Sequence, residues 1–163
     1  MPWASRVWFN PLKVAPTMKI VTSLSFKGTC REAFDFYARL LGGELTAVMP
    51  YGDGLPGMPV PAEIRDWLMQ CWLQVGDQAI MGSDMHPEYT PDMDKPKDGF
   101  DVTLHTDSVE EARRMFKGLS EGGEVRMPVA GSFWSPGFGG LIDKFGVSWM
   151  VNTMPSADWK PGS

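Results

Sequence analysis

The chain has 163 residues, 43% of them hydrophobic and 21% charged, which is the balance of one folded globular domain and not of a disordered chain. The formal net charge is −5 and no run of Lys and Arg occurs, which argues against nucleic acid as a partner, because binding to phosphates needs a basic surface. No uninterrupted apolar stretch approaches the roughly 18 residues that suggest a membrane span, so no membrane association is expected.

Residues 1–17 are predicted to form an N-terminal tail. Asn10 and Pro11 interrupt its apolar residues, so it does not have the form of a secretory signal. The only cysteines are Cys30 and Cys71, too few for a disulfide framework and without the spacing of a zinc site. These features indicate a cytoplasmic protein with reduced thiols. The sequence leaves open whether Met1 or Met18 is the natural start.

A first structural module is predicted over residues 18–98. It opens with a β-strand over residues 19–26, after which Thr29 and Glu32 have the spacing of a helix capping box. The helix that follows has an apolar stripe of Ala33, Phe36, Tyr37, Leu40 and Leu41. The glycine pair at 42–43 is expected to end it. Three more strands are predicted at residues 44–49, 69–75 and 78–84.

A second module is predicted over residues 99–154, followed by a C-terminal tail at 155–163. Residues 100–106 alternate apolar and polar side chains, which is typical of a strand with one packed face. Ser108 and Glu111 form a second capping box, and the next helix has the stripe Ala112, Met115, Phe116 and Leu119. Its stop is expected at the glycine pair 122–123. Three strands are predicted at 124–130, within 134–143 and at 147–152.

The two halves repeat each other. The capping boxes, Thr29 and Ser108, lie 79 residues apart, and the glycine pairs that begin at Gly42 and Gly122 lie 80 apart. Agreement between helix start, stripe and stop indicates an internal duplication. The predicted fold is α+β, with the order β-α-β-β-β twice in one domain. Two segments rich in Pro, Gly and Asp, residues 51–61 and 85–99, are expected to be long loops that act either as lids or as disordered connections.

Three segments carry a resemblance to known proteins: LSFKGTCREAFDFY at 24–37, IMGSDMHP at 80–87 and FWSPGFGGLIDKFGVSWMVN at 133–152. With them the chain resembles the vicinal-oxygen-chelate superfamily, which contains glyoxalases, bleomycin-resistance proteins and extradiol dioxygenases, and within it the PhnB-like proteins. The resemblance implies two curved four-stranded sheets that form one ligand cleft. It also implies a homodimer, sometimes with the cleft shared between chains.

The resemblance further implies a divalent metal in the cleft, bound by one ligand on the first and fourth strands of each module. The matching positions are Ile20 or Val21, Met81 or Gly82 with Asp84 just beyond, Asp101, and Met150. Divalent metals prefer imidazole or carboxylate ligands, and among the four strand positions only Asp101 supplies one. The sequence therefore predicts no metal bound in the superfamily's usual way, and no other cofactor. PhnB-like proteins are often labelled methyltransferases, but no Gly-rich strand-to-helix turn suited to S-adenosylmethionine is present.

Candidate pocket residues are those that put polar or aromatic groups near the expected cleft: Ser83, Asp84, Asp101, Thr103, His105, Trp134, Phe138 and Met150. Two of them have equally ordinary explanations, because His105 could be a surface histidine and Asp84 could cap a loop. Cys30 is expected to be a buried, inert thiol. Trp149 is expected to pack on the second helix.

Two functions remain open from the sequence. The first is a metal-independent protein that binds an unidentified small molecule, as resistance and sequestration proteins do. The alternative is a metal-dependent lyase, isomerase or dioxygenase-type enzyme that uses one divalent metal at a displaced site built from Asp84, Asp101 and His105. A third, weaker hypothesis is a purely structural homodimer whose cleft is filled by Met81, Trp134 and Met150. Whether the protein is catalytic stays undecided at this point.

Overall fold

A computed structural model describes residues 19–53, 57, 59–86 and 99–160. The first module contains β1 (Thr22–Phe26), α1 (Cys30–Leu41), β2 (Glu44–Pro50), β3 (Leu68–Val75) and β4 (Gln78–Asp84). The second contains β5 (Val102–Thr106), α2 (Val109–Ser120), β6 (Glu124–Ala130), β7 (Phe138–Ile142) and β8 (Ser148–Thr153). Short 3-10 turns at Tyr51–Asp53 and Ala62–Ile64 connect β2 to β3.

Several predicted segments lie wholly or partly outside the described residues. They are the N-terminal tail, residues 54–56 and 58 of the first loop, residues 87–98 of the second loop, and residues 161–163. Of the predicted C-terminal tail, residues 155–160 are described, and they contain one turn, closed by a hydrogen bond from Trp159 N to Ser156 O of 3.0 Å.

The two modules have the same sheet topology. The strand orders are β1-β4-β3-β2 and β5-β8-β7-β6, and in each sheet the first pair is parallel while the others are antiparallel. The parallel pairs also end alike, with Phe26 opposite Asp84 in one and Thr106 opposite Thr153 in the other. Both the duplication and the α+β fold of two βαβββ modules are thereby confirmed.

The predicted starts of the two helices have different outcomes. Ser108 caps α2 as expected, because its Oγ accepts a hydrogen bond from Glu111 N at 3.2 Å. The prediction for Thr29 is wrong, since its side chain makes no capping bond to α1. The carboxylate of Asp84, at the end of β4, accepts from Cys30 N at 3.0 Å instead. A residue distant in sequence therefore replaces the local cap.

The predicted helix stops are confirmed. α1 ends at Leu41, and Gly42 follows in the left-handed conformation with φ of 69°. α2 ends at Ser120, and Gly122 has φ of 74° two residues later. Glycine adopts this conformation without the steric cost that a Cβ would add.

One hydrophobic core joins both modules, because the two helices pack against each other as well as against their own sheets. At the helix contact, a Cβ at Gly118 would lie 2.6 Å from Leu40 Cδ1, so the absence of a side chain there permits the close approach. The buried core residues from the predicted stripes are Ala33, Tyr37, Ala112, Phe116 and Leu119.

Asp143 connects the second module to α1 through hydrogen bonds. Its Oδ2 accepts from Tyr37 Oη of α1 at 2.5 Å and from Trp149 Nε1 at 2.9 Å, while its Oδ1 accepts from the backbone amides of Phe145 and Val147 at 2.8 and 3.0 Å. Burial and the neighbouring carboxylate raise the pKa of the Tyr37 phenol, so its proton stays available for this bond. Trp149 is buried, and its ring also meets Tyr37 edge-on with centroids 5.2 Å apart.

Candidate functional site

Each sheet is covered by its helix on one face only. Because successive side chains of a strand point to opposite faces, the residues between the core positions lie on the other side, which we call the open face. On the first sheet it includes Ser25, Trp72, Met81 and Ser83, and on the second Thr103, His105, Phe138, Met150 and Asn152. None of these nine residues belongs to the buried set. The open faces are therefore where a molecule can reach the sheets.

The parallel pair β5 and β8 carries three successive side-chain pairs on the open face of the second sheet. Asp101, just before β5, accepts a short hydrogen bond from the Ser148 hydroxyl. Thr103 lies opposite Met150. His105 lies opposite Asn152, and its Nδ1 is 3.2 Å from Asn152 Nδ2. The predicted alternation of this strand is confirmed, and it places Asp101, Thr103 and His105 together on one face.

An aromatic shelf continues this last pair across the sheet. Phe138 is the register partner of Asn152 on the neighbouring strand β7. Trp134 meets Phe138 edge-on with centroids 5.5 Å apart, and Phe133 meets Trp134 at 4.7 Å. Phe133 is 74% exposed and Trp134 is 40% exposed. One continuous row therefore crosses the sheet. It begins with the polar side chains of His105 and Asn152 and ends with the aromatic rings of Phe138 and Trp134.

The loop that carries Trp134 is held in place by its own hydroxyls. Ser135 is buried, and its Oγ lies 3.0 Å from Gly137 O and 2.9 Å from Thr153 O. Ser132 Oγ in turn accepts from Ser135 N at 3.2 Å. Small side chains able to bond the backbone replace regular structure here, so the shelf has a defined position.

Asp84 does not belong to this surface, and its assignment as a pocket residue is wrong. It follows Ser83 on β4 and therefore points to the helix side, where it is 1% exposed. Its two oxygens accept from Cys30 N at 3.0 Å and Leu68 N at 2.8 Å. Both oxygens of the carboxylate are therefore used in hydrogen bonds that connect α1 and β3 to the end of β4.

The displaced metal site is likewise not formed. Asp84 lies on the helix side of the first sheet, whereas Asp101 and His105 lie on the open face of the second and are engaged by Ser148 and Asn152. Across the described ranges, no group of three or more His, Cys, Asp and Glu side chains could hold a metal ion.

The other open-face pairs of the two parallel strand pairs also offer too few suitable donors for a divalent metal. The last open-face pairs of the two parallel strand pairs are Ser25 with Ser83 and His105 with Asn152. They offer two hydroxyls, a carboxamide and a single imidazole, whereas divalent metals at such sites require imidazole and carboxylate ligands. Two residues earlier on β4 and β8, Met81 and Met150 offer only thioethers, which are poor ligands for these metals. The residues do not fit the metal.

Two further side chains that could take part in chemistry, Cys30 and His86, make contacts within the fold. Cys30 and Cys71 are both fully buried, and the hydrogen bond that the Cys30 thiol donates to Cys71, together with burial, raises the pKa of Cys30. This agrees with the expectation of an inert thiol. His86 is half-buried and meets the Tyr51 ring edge-on at 6.3 Å, at the point where the second loop begins.

Sequence reasoning missed Asn152 and Ser25. Asn152 is two residues after Met150, so the period of two along β8 carries the signal that it shares the open face. Ser25 has no comparable signal, because only the register with β4 shows that it pairs with Ser83.

Comparison with known proteins agrees with this architecture. Residues 18–152 match the sequence model of the family described as 3-demethylubiquinone-9 3-methyltransferase. The chain belongs to this PhnB-like family. It is 34% identical over 147 residues to protein YjdN of Escherichia coli K12, an alignment that covers 84% of this chain and 96% of that protein.

Solved structures are similar as well. Protein PA1353 from Pseudomonas aeruginosa is 44% identical with a TM-score of 0.76, covering 86% of this chain and all of that one. A Bacillus cereus PhnB protein, described as a putative 3-demethylubiquinone-9 3-methyltransferase, is 26% identical with a TM-score of 0.68, covering 83% and 99%. A glyoxalase/bleomycin resistance protein/dioxygenase family enzyme from Burkholderia phytofirmans, 12% identical with a TM-score of 0.56 over 82% of this chain and 96% of that one, shares the fold. Within the described ranges, no helix has both the length and the apolar character needed to cross a membrane.

Proposed function

We propose that this PhnB-like protein binds a small organic molecule on the open face of its second sheet, without the divalent metal typical of its superfamily. The observation that carries the proposal is the row from His105 through Asn152 and Phe138 to Trp134, which sets a polar pair beside an exposed aromatic shelf. Small-molecule sites combine mostly apolar walls with a few placed polar groups, and this row has that composition.

The metal-dependent alternative has no observation in its favour, because Asp84 is bonded inside the core and the open-face donors do not fit a divalent ion. The test is the metal content of protein purified without chelator. We expect much less than one equivalent of any divalent metal per chain, and no change in the His105→Ala or Asp101→Ala variants. One tightly bound ion per chain that is lost in either variant would overturn the metal-free proposal.

Binding itself is testable by thermal stability in a panel of small ring compounds, with the tryptophan fluorescence of the protein and of its Trp134→Ala variant as a second readout. A compound present at one hundred times its Kd stabilises the folded protein by about 2.7 kcal/mol, which is easily measured. We expect ligands whose effect weakens in Trp134→Ala and is unchanged in Trp159→Ala, a matched variant far along the chain. A broad panel without any ligand would refute the proposal and favour a cleft filled by the protein's own side chains.

We also propose that two copies associate. Exposed apolar side chains lie on the open faces of both sheets, namely Met49 at 44% and Met127 at 51%, in addition to the aromatic shelf. Exposed apolar side chains on sheet faces are typical of a surface that a partner covers. Light scattering in solution should give twice the chain mass of 18.1 kDa. A mass of one chain at micromolar concentration would contradict this part of the proposal.

A further inference from the structure

We infer that the ligand of the second sheet is a neutral, flat ring compound that carries an N–H or O–H donor next to a hydrogen-bond acceptor. The inference rests on the proposed function, and it names the chemistry that the row of His105, Asn152, Phe138 and Trp134 would recognise.

The first step is the state of the His105 side chain. Asn152 Nδ2 lies 3.2 Å from His105 Nδ1, and an amide nitrogen can only donate. His105 Nδ1 is then the acceptor, and the imidazole proton is on Nε2. His105 is exposed, so Nε2–H is a donor directed at whatever lies on the open face. We therefore expect the ligand to carry an acceptor for the His105 Nε2–H group.

The second step concerns the carbonyl oxygen of the same Asn152 side chain. Asn152 Oδ1 is buried and accepts no hydrogen bond from any described residue. Buried acceptors are nearly always satisfied, because leaving one without a donor destabilises the protein. By contrast, the Asp101 carboxylate already has a partner, because it accepts a hydrogen bond from the Ser148 hydroxyl. A ligand donor that reaches Asn152 Oδ1 would satisfy it, while the bond between Asn152 Nδ2 and His105 stays in place.

The third step is the shape and charge of the ligand. Phe138 is the register partner of Asn152, and Trp134 meets it edge-on, so a molecule bonded to the amide lies beside ring surfaces. Aromatic rings pack well against such edges and faces. None of the four members of the row is an Asp, Glu, Lys or Arg. A ligand charge would be desolvated there without a counter-ion, which is unfavourable.

Two probes that differ only in the replacement of an N–H by an N–CH3 test the inference, and the Asn152→Leu variant separates the lost donor from the added methyl. Quinolin-2-one is flat and neutral and has an N–H beside a carbonyl, whereas N-methylquinolin-2-one lacks the N–H. Titrations of the full chain, followed by NMR, should show the N-methyl compound binding at least about ten-fold more weakly, the loss expected for one unmade buried hydrogen bond. In Asn152→Leu, of similar size, both probes should bind with the same affinity. In Trp134→Ala, both should weaken while their ratio is kept.

Equal affinities of the two probes for the unaltered protein would overturn the inference, and this comparison needs no variant that might fail to fold. A preference that survives Asn152→Leu would also overturn it, because the donor would then be recognised elsewhere. Binding of neither probe overturns it too, even when other panel compounds bind. Those results leave the proposed binding of a small molecule standing, because that proposal is refuted when no compound of the panel binds.

Discussion

Asp84 provides the sharpest test of whether a candidate functional residue is in fact structural. Its carboxylate accepts two backbone N–H groups, from Cys30 at the first turn of α1 and from Leu68 at the start of β3. It is 1% exposed, so water cannot replace either bond. Asp84→Asn keeps one acceptor oxygen and turns an N–H₂ group toward the second amide. Asp84→Ala removes both acceptors.

The expected loss follows from the number of donors left unpaired. Each buried donor without an acceptor costs about 1–3 kcal/mol, so Asp84→Asn should lower the free energy of unfolding by about 1–3 kcal/mol and Asp84→Ala by about 2–6 kcal/mol. In a chain of this length, each kcal/mol corresponds to a fall in Tm of about 2–4 °C. Urea denaturation followed by circular dichroism measures the free energy directly.

Asp101→Asn is the matched control. Asp101 is exposed, and the amide oxygen of Asn still accepts from the Ser148 hydroxyl. Its free energy of unfolding should therefore change by no more than about 0.5 kcal/mol. The reasoning is refuted if Asp84→Ala matches the unaltered protein in stability, or if it loses ligand binding while keeping its full stability.

Two further predictions concern the core. Tyr37→Phe removes a buried bond to Asp143, which should cost about 1.5–3 kcal/mol at pH 8. The Tyr37 pKa is raised by burial above its ordinary value of about 10, so this contribution is complete below pH 10 and is lost as the pH rises through the folded-state pKa. The stability difference between the two proteins should shrink above pH 10, and a difference that stays constant to pH 11 would contradict this. Gly82→Ala should cost about 1–3 kcal/mol, because its Cβ would lie 2.3 Å from Phe34 Cε2. Gly140→Ala, whose Cβ would meet only a carbonyl oxygen at 3.9 Å, should be nearly neutral; equal losses in both would show that the clash is not the cause.

The sequence was a reliable guide wherever the signal was local. The apolar stripes, the Ser108 cap and the glycines after each helix depend on residues within a few positions of one another, and the structure confirms them. The alternation of Asp101, Thr103 and His105 was equally readable, since the period of two belongs to the strand itself. From these signals the duplicated βαβββ order and the α+β fold class followed without knowledge of any contact between distant residues.

Failures occurred where two distant segments compete for one group. Thr29 has the right spacing for a cap, but the Asp84 carboxylate takes Cys30 N across 54 positions of sequence. The two oxygens of the Asp84 side chain accept from amides on two different elements, Cys30 N on α1 and Leu68 N on β3. The same contact removes Asp84 from the candidate site.

By itself, then, the sequence determined the two modules, because helix and strand periodicity are properties of neighbouring residues. Only the tertiary structure decided which polar side chains meet. Strand register places Asn152 between His105 and Phe138, and the direction of a strand end turns Asp84 into the core while Ser83 stays on the open face. Register and facing depend on pairing between strands that are far apart in the chain, and no local pattern encodes that pairing.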